Sequence, residues 1–148
     1  MVKVIMHGCN GKMGQVITGI IAEDADVEIV AGVDASNHIQ NTYPVFSNIA
    51  DCNVEADVVI DFCAAAAVDG LLNYCVEKKL PCVLCTTGLS EAQIAAVEEA
   101  SKKTAILRSA NMSLGVNMLL KILKEAAGIL APAGFDIEIV EKHHNQKV

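Results

Sequence analysis

Residues 8–14 have types and spacing that suit the binding of a phosphate group. They read Gly-Cys-Asn-Gly-Lys-Met-Gly, with Asn10 where the usual dinucleotide fingerprint has its second glycine. Small residues let backbone N–H groups approach a pyrophosphate, and a helix that begins there adds partial positive charge. In the sequence of this turn, Lys12 supplies the one formal positive charge. The segment predicts a dinucleotide-binding loop.

Asp34 is the acid expected to accompany such a loop. It ends the next apolar run, about 20 residues further on, where a carboxylate accepts hydrogen bonds from an adenosine ribose. Positions 35–40 contain no Lys or Arg, so an added 2′-phosphate would face this carboxylate with no cation nearby. The pattern favours NADH as the cofactor and leaves NADPH possible.

The segment 141–147, Glu-Lys-His-His-Asn-Gln-Lys, is rich in groups that can move protons. Histidine titrates near neutral pH, and lysine can donate a proton or hold a carboxylate. His143 and His144, if in a strand, would point to opposite faces and play different roles. Lys147 would have to turn into the same pocket as His143. Taken alone, the segment is explained slightly better as a solvated polar tail.

The elements that must position these groups alternate along the chain. As far as residue 110 the pattern predicts strand, helix, strand, strand, helix, strand, helix, strand. The strands are continuous apolar runs, which are typical of strands buried on both faces. The fold class is therefore predicted to be α/β, with a doubly wound parallel sheet of the Rossmann type. The predicted strands are 2–6, 27–33, 57–62, 82–85 and 104–107, and the predicted helices are 12–23, 68–79, 91–102 and 114–130.

The last part of the chain has a different pattern. Phe135, Ile137 and Ile139 alternate with acidic residues, which predicts a strand with one solvated face. We therefore expect a dinucleotide-binding domain over 1–112 and the beginning of an α+β substrate domain over 113–148. One strand and one helix cannot bury both their faces, so this second domain is expected to be incomplete.

Composition excludes several classes of function. Eleven basic residues against 18 acidic ones give a formal net charge of −7, which offers no general attraction to nucleic acid or anionic membranes. No apolar run reaches the ~18 residues of a membrane span, and the N-terminus does not resemble a signal peptide. The six cysteines are expected to be reduced thiols in the cytoplasm. Cys82 and Cys85, three apart on a strand, face opposite sides, so no metal site is expected.

Five motifs occur along the chain: Gly8-x-x-Gly11-x-Met13-Gly14, Asp61-Phe62, Thr86-Thr87-Gly88, Asn111-x-Ser113-x-Gly115-Val116-Asn117 and Glu141-x-His143-His144-x-x-Lys147. Together they resemble one family over the whole chain, the bacterial 4-hydroxy-tetrahydrodipicolinate reductases. The last two motifs are specific to that family, whereas the first is shared by many.

The resemblance implies hydride transfer from NAD(P)H to a cyclic imine dicarboxylate, the dehydration product of 4-hydroxy-tetrahydrodipicolinate, in lysine and diaminopimelate biosynthesis. It implies that His143 donates or accepts a proton, that His144 binds a substrate carboxylate and that Lys147 donates a proton. It also implies a homo-oligomer for the full-length family. The cofactor contacts that it implies are Gly8, Cys9, Asn10, Gly11, Lys12, Met13, Asp34, Phe62, Cys85, Thr86, Thr87, Ser109, Ala110, Asn111 and Met112.

Two departures from the family matter. Cys85 stands where the family usually has glycine, so its side chain is expected to project beside the cofactor groove. Family members also continue beyond Lys147 into a Ser-Gly-Thr substrate loop, so this chain alone is expected to bind cofactor and to reduce substrate poorly. Two other functions stay open: a non-catalytic NAD(H)-binding redox sensor, and another two-domain dehydrogenase of amino-acid metabolism, which would lack the His-His-x-x-Lys end.

Overall fold

The computed structural model describes residues 1–140 and Lys142, in two compact units. The first unit is Met1–Ala110 and the second is Asn111–Val148, described as far as residue 140 and at Lys142.

The first unit is a six-stranded parallel sheet with helices on both faces, which confirms the predicted α/β class. The strand order is β3-β2-β1-β4-β5-β6, so the chain starts in the middle of the sheet and builds outward on either side of β1. The elements are β1 Val2–His7, α1 Lys12–Ala22, β2 Val27–Val33, β3 Val45–Phe46, β4 Val58–Asp61, α2 Val68–Lys78, β5 Cys82–Leu84, α3 Glu91–Ser101 and β6 Ile106–Arg108, with short 3-10 turns at Ile49–Asp51 and Ala65–Ala67.

The two faces of the sheet are covered by different helices. Ile5 and Val59 belong to the core that α2 and α3 cover, whereas Met6 packs in the cluster that contains Ile17 of α1. Successive residues of a strand point to opposite faces. Since both faces are covered, most positions along the strands are apolar, which explains their hydrophobic runs.

Two helices begin at side-chain caps. At the start of α3, Ser90 Oγ accepts the N–H of Gln93 at 3.2 Å, and Gln93 Oε1 accepts the N–H of Ser90 at 3.1 Å. In the second unit, α4 spans Leu114–Leu130, and Ser113 Oγ accepts the N–H of Val116 at 3.4 Å. These bonds satisfy donors that a helix start leaves without a partner.

Two strands of the first unit differ from the prediction by more than one residue at an end. The short strand β3 lies in a stretch predicted to be irregular, and it forms by pairing with Gly32 and Val33. Strand β6 begins at Ile106 instead of 104, because the N–H of Thr104 bonds to the carbonyl of Ala100 and so belongs to the end of α3.

The predicted strand around Phe135–Ile139 is wrong. Residues 135–140 form no strand, and Phe135, Ile137 and Ile139 are exposed. A strand needs a neighbour to accept and donate its backbone hydrogen bonds, and residues 111–140 contain no other strand. Within residues 1–140, no helix is both long and apolar enough to cross a membrane.

Candidate functional site

The carboxyl ends of the parallel strands meet at one edge of the sheet, and the glycine loop lies there between β1 and α1. Gly8 has a left-handed φ of +82°, and a Cβ atom on it would lie 2.7 Å from the carbonyl oxygen of Phe62. A Cβ atom on Gly14 would lie 2.2 Å from the carbonyl oxygen of Gly8. The fold itself therefore requires glycine at both positions, because backbone approaches backbone there.

Gly11 is different from the other two glycines of the loop. Its φ is −73°, which any residue can adopt, and the nearest atom to a Cβ built on it is the carbonyl oxygen of Gly8, 3.3 Å away. Gly11 is exposed at the N-cap of α1, and no side chain caps this helix. The exposed backbone at the start of α1 therefore fits an approaching anion such as a diphosphate.

Substitution of Gly14 is expected to destabilise the fold. The Gly14→Ala variant should lose about 3 kcal/mol or more of unfolding free energy, because the methyl group overlaps the Gly8 carbonyl. The control is Gly19→Ala on the same helix, where a Cβ meets nothing within 4 Å. That variant should be as stable as the parent or gain about 0.5–1 kcal/mol. Urea titration followed by circular dichroism measures both, and equal midpoints for the two variants would contradict the packing argument.

Asp34 lies at the end of β2, where the sequence predicts it, and holds the loop together. Its Oδ2 accepts the N–H of Asn10 at 3.0 Å and its Oδ1 accepts the N–H of Ser36 at 2.9 Å. The amide of Asn10 donates to the Ser36 carbonyl and accepts from Asn41 Nδ2 at 2.8 Å. Asn10 thus ties the glycine loop to the segment after β2. A carboxylate oxygen has more than one lone pair, so Asp34 retains acceptor capacity for a ribose hydroxyl.

A cavity of about 270 Å³ lies between the segments that follow β2 and β4. Asp34 and Ala35 stand on one side, and small side chains of the segment after β4 stand on the other. Its lining residues are His7, Val33, Asp34, Ala35, Ser47, Asn48, Ile49, Cys63, Ala66, Ala67 and Gly70. A small cavity with a carboxylate and mostly small or apolar walls at the point where the strand order reverses fits an adenosine group.

Three thiols near this edge are neutral at physiological pH. Burial raises the pKa of Cys9 to about 11, and the Asp34 carboxylate adds to the shift. Burial likewise raises the pKa of Cys85 to about 11, with a further contribution from Asp61. The pKa of Cys63 is also raised, again mainly by burial. These thiols therefore add no negative charge that would repel a bound diphosphate.

The segment after β5 differs from the sequence prediction at Cys85. The side chain of Cys85 is buried, contrary to the expectation that it projects beside the groove, and the N–H of this residue, directly after β5, bonds to the carbonyl of Asp61 at 3.0 Å. Thr86 is also buried, whereas Thr87 is exposed and Phe62, directly after β4, is half-buried. The loop therefore offers Thr87 and backbone groups to a ligand.

The remaining predicted site residues lie further along the chain. Ser109 and Ala110 end the first unit, and the N–H of Ser109 bonds to the Leu84 carbonyl at 3.1 Å. Asn111 and Met112 belong to the second unit, where Asn111 Oδ1 accepts the N–H of Ser113 at 2.8 Å. His143, His144 and Lys147 lie outside the described residues. The first unit thus brings together the contacts predicted at Gly8–Met13, Asp34, Phe62 and Cys85–Thr87.

Sequence reasoning missed a group of buried polar side chains at the same edge. His7 Nδ1 lies 2.6 Å from Asp61 Oδ1, and Thr86 Oγ1 donates to Asp61 Oδ2 at 2.5 Å. The sequence feature that indicates this group is the polar residue at the end of two apolar strands, His7 in β1 and Asp61 in β4. Among the described residues, no group of three or more His, Cys, Asp or Glu side chains could hold a metal ion.

Comparisons with known proteins agree with this geometry. The model of the family "Dihydrodipicolinate reductase, N-terminus" matches residues 2–112, and that of "Dihydrodipicolinate reductase, C-terminus" matches residues 115–148. The 4-hydroxy-tetrahydrodipicolinate reductase of Clostridium tetani is 51% identical over all 148 residues, and that of Caldanaerobacter subterraneus is 52% identical over 147. The chain spans 58% and 57% of the length of these two relatives.

Solved structures show the same fold. A dipicolinate-bound dihydrodipicolinate reductase from Paenisporosarcina sp. TG-14 superposes with a TM-score of 0.77 at 23% identity, over 87% of this chain and 54% of that one. The WlbA dehydrogenase from Chromobacterium violaceum, in complex with NADH and UDP-GlcNAcA, superposes with a TM-score of 0.69 at 15% identity, over 85% of this chain and 40% of that one.

Proposed function

Because this chain belongs to the dihydrodipicolinate reductase family, we propose that it forms the cofactor-binding half of an NAD(P)H-dependent oxidoreductase. The reaction is reduction of the cyclic dehydration product of 4-hydroxy-tetrahydrodipicolinate to tetrahydrodipicolinate, in lysine and diaminopimelate biosynthesis. The relatives named for this activity are nearly twice as long as this chain, so the proposal concerns the full-length protein. We also propose that the full-length protein is a homo-oligomer in the cytoplasm. The six free cysteines support a reducing compartment.

The observation that carries the proposal is the open start of α1 at Gly11, next to the Asp34 carboxylate. Exposed backbone without a side-chain cap suits a diphosphate, and the adjacent cavity suits the adenosine. The bound dinucleotide would supply the hydride. The chain's own part is to hold it at the carboxyl edge of the sheet, where the Cys85–Thr87 segment would add further cofactor contacts.

The substrate-side roles are assigned to the His-His-x-x-Lys segment. A ring that gains a hydride also needs a proton, and Lys147 is the proposed donor. His143 is proposed to donate or accept a proton, and His144 to hold one carboxylate of the dianionic substrate. Division of the chain into a cofactor domain (1–112) and the start of a substrate domain (113–148) is part of the same proposal.

NADH is the proposed preferred cofactor, because Asp34 stands where a 2′-phosphate would lie and positions 35–40 contain no cation. We expect the Ala35→Arg variant to raise the affinity for NADPH relative to NADH by roughly tenfold or more, about one charge-assisted hydrogen bond. Ala35 is exposed, so the guanidinium has room. Asp34 is left in place because it holds Asn10 and Ser36. Ala35→Gln is the uncharged control.

Calorimetry at fixed salt concentration measures the two affinities in the parent and in both variants. Equal affinities for NADH and NADPH in the parent chain would contradict the proposed preference. If Ala35→Gln raised the affinity for NADPH relative to NADH as much as Ala35→Arg does, charge pairing would not be the cause of the change.

The proposed activity is tested by following NADH consumption with freshly generated substrate in the full-length protein. Turnover that requires the cyclic imine supports the reductase. Tight NADH binding without turnover on this substrate would instead favour the redox-sensing module, and turnover on another amino-acid precursor would favour a different dehydrogenase.

A further inference from the structure

Three polar side chains are buried together at the carboxyl ends of the central strands. Asp61 is completely buried, and His7 and Thr86 are 4% and 3% exposed. His7 Nδ1 lies 2.6 Å from Asp61 Oδ1, and Thr86 Oγ1 lies 2.5 Å from Asp61 Oδ2 and 3.0 Å from the carbonyl oxygen of Cys63. Burying a polar group costs free energy unless the group is hydrogen-bonded. The hydrogen bonds among these three side chains therefore offset the cost of burial and fix the side chains relative to one another.

Each member of this cluster adjoins a different loop of the candidate cofactor site. His7 ends β1 immediately before the glycine loop, Asp61 ends β4, and Thr86 lies two residues after β5. The His7 residue also lines the cavity that contains Asp34. The cluster therefore connects the glycine loop and the cavity beside Asp34 with the predicted cofactor loop after β5.

We infer that Asp61 is a positioning residue for the cofactor: through its hydrogen bond to Thr86 it fixes the Cys85–Thr87 segment relative to the glycine loop. The inference rests on the proposed dinucleotide binding. Asp61 has no exposed surface and cannot touch a ligand itself, so any effect that it has on cofactor affinity must pass through a neighbour. Thr86 is the neighbour that lies in a predicted cofactor loop. The neighbour on the other carboxylate oxygen, His7, keeps that oxygen paired.

The test is a double-mutant cycle on NADH affinity in this chain, with Asp61→Ala, Thr86→Val and the double variant. Each single substitution should weaken NADH binding by about tenfold, the size of one hydrogen bond made in a buried site. If Asp61 acts through Thr86, the double variant should bind NADH about as well as Thr86→Val alone, since the interaction is already lost. If the double variant instead lost NADH affinity by the product of the two single losses, Asp61 and Thr86 would act independently and the inference would be overturned.

Two further variants separate positioning from general destabilisation. Val59→Ala removes packing two residues earlier on β4, at a completely buried position, and should lower stability without changing NADH affinity. Asp61→Asn keeps the shape and an acceptor for the Thr86 hydroxyl, and should recover most of the affinity. An equal loss of affinity in Val59→Ala and Asp61→Ala would contradict a positioning role.

The design remains decisive if Asp61→Ala does not fold. Thr86→Ser keeps the hydroxyl and should bind NADH like the parent, whereas Thr86→Val should not. Equal affinity of these two Thr86 variants would overturn the inference. Failure of the parent chain to bind NADH would instead contradict the proposed function, so the two failures are distinguishable.

Discussion

Replacing Gly11 with valine is expected to weaken NADH binding by about 100-fold or more while the chain stays folded. The loss corresponds to two backbone hydrogen bonds to a charged phosphate at about 1.5 kcal/mol each. Gly11 has an ordinary φ of −73°, and its only close neighbour is the Gly8 carbonyl at 3.3 Å. The added methyl groups therefore occupy the space at the start of α1 that a diphosphate would need. Fluorescence titration with NADH measures the affinity.

Gly19→Val is the matched control for this substitution. Gly19 lies on the same helix with nothing within 4 Å of a Cβ, so valine there should leave NADH affinity unchanged. Thermal unfolding of both variants establishes that they are folded. If valine proves too large to fold at position 11, Gly11→Ala tests the same clearance with one methyl group. An unchanged dissociation constant in a folded Gly11 variant would contradict a diphosphate site at this loop.

Alanine at His143 or at Lys147 is expected to lower kcat by about 10²- to 10⁴-fold, the usual contribution of general acid–base catalysis. The dissociation constant for NADH should not change, because most of the proposed cofactor contacts lie in the first unit. His144→Ala should instead raise KM for the substrate more than it lowers kcat, since a carboxylate contact serves binding. Steady-state kinetics on the full-length protein measure all three variants.

Lys142→Ala is the control for the same segment, because Lys142 is exposed and has no assigned role. It should show parent kinetics. A drop in kcat for Lys142→Ala as large as that for Lys147→Ala would show that the segment is sensitive to any substitution, and the assigned roles would fail.

Most of the fold could be predicted because it depends on local patterns. Strand β2 has the predicted bounds, and α3 and α4 start at the predicted residues, Glu91 and Leu114. The two-residue strand β3 could not be predicted, since its few residues become a strand only through pairing with Gly32 and Val33. The alternating pattern over residues 135–139 predicted a strand that does not form, because residues 111–140 contain no strand with which it could pair.

The candidate site was predictable where a motif defines it and not where it depends on distant pairs. The glycine spacing and the position of Asp34 in the sequence predict the loop and its carboxylate. The bond between His7 and Asp61 joins residues 54 positions apart, so the polar residue at the end of each strand does not by itself indicate their pairing. The burial of Cys85 was missed likewise, since it depends on neighbours distant in the chain, such as Asp61, whose carbonyl accepts the N–H of Cys85.

The order of the strands has a consequence for how the protein is made. On each side of β1 the strands follow the order of the chain: β2 and then β3 on one side, and β4, β5 and β6 on the other. A ribosome releases the chain from its amino terminus, so β1 is available first and every later strand meets a free edge. No strand has to insert between two that are already paired, and the sheet can be completed in the order of translation once Arg108 has emerged.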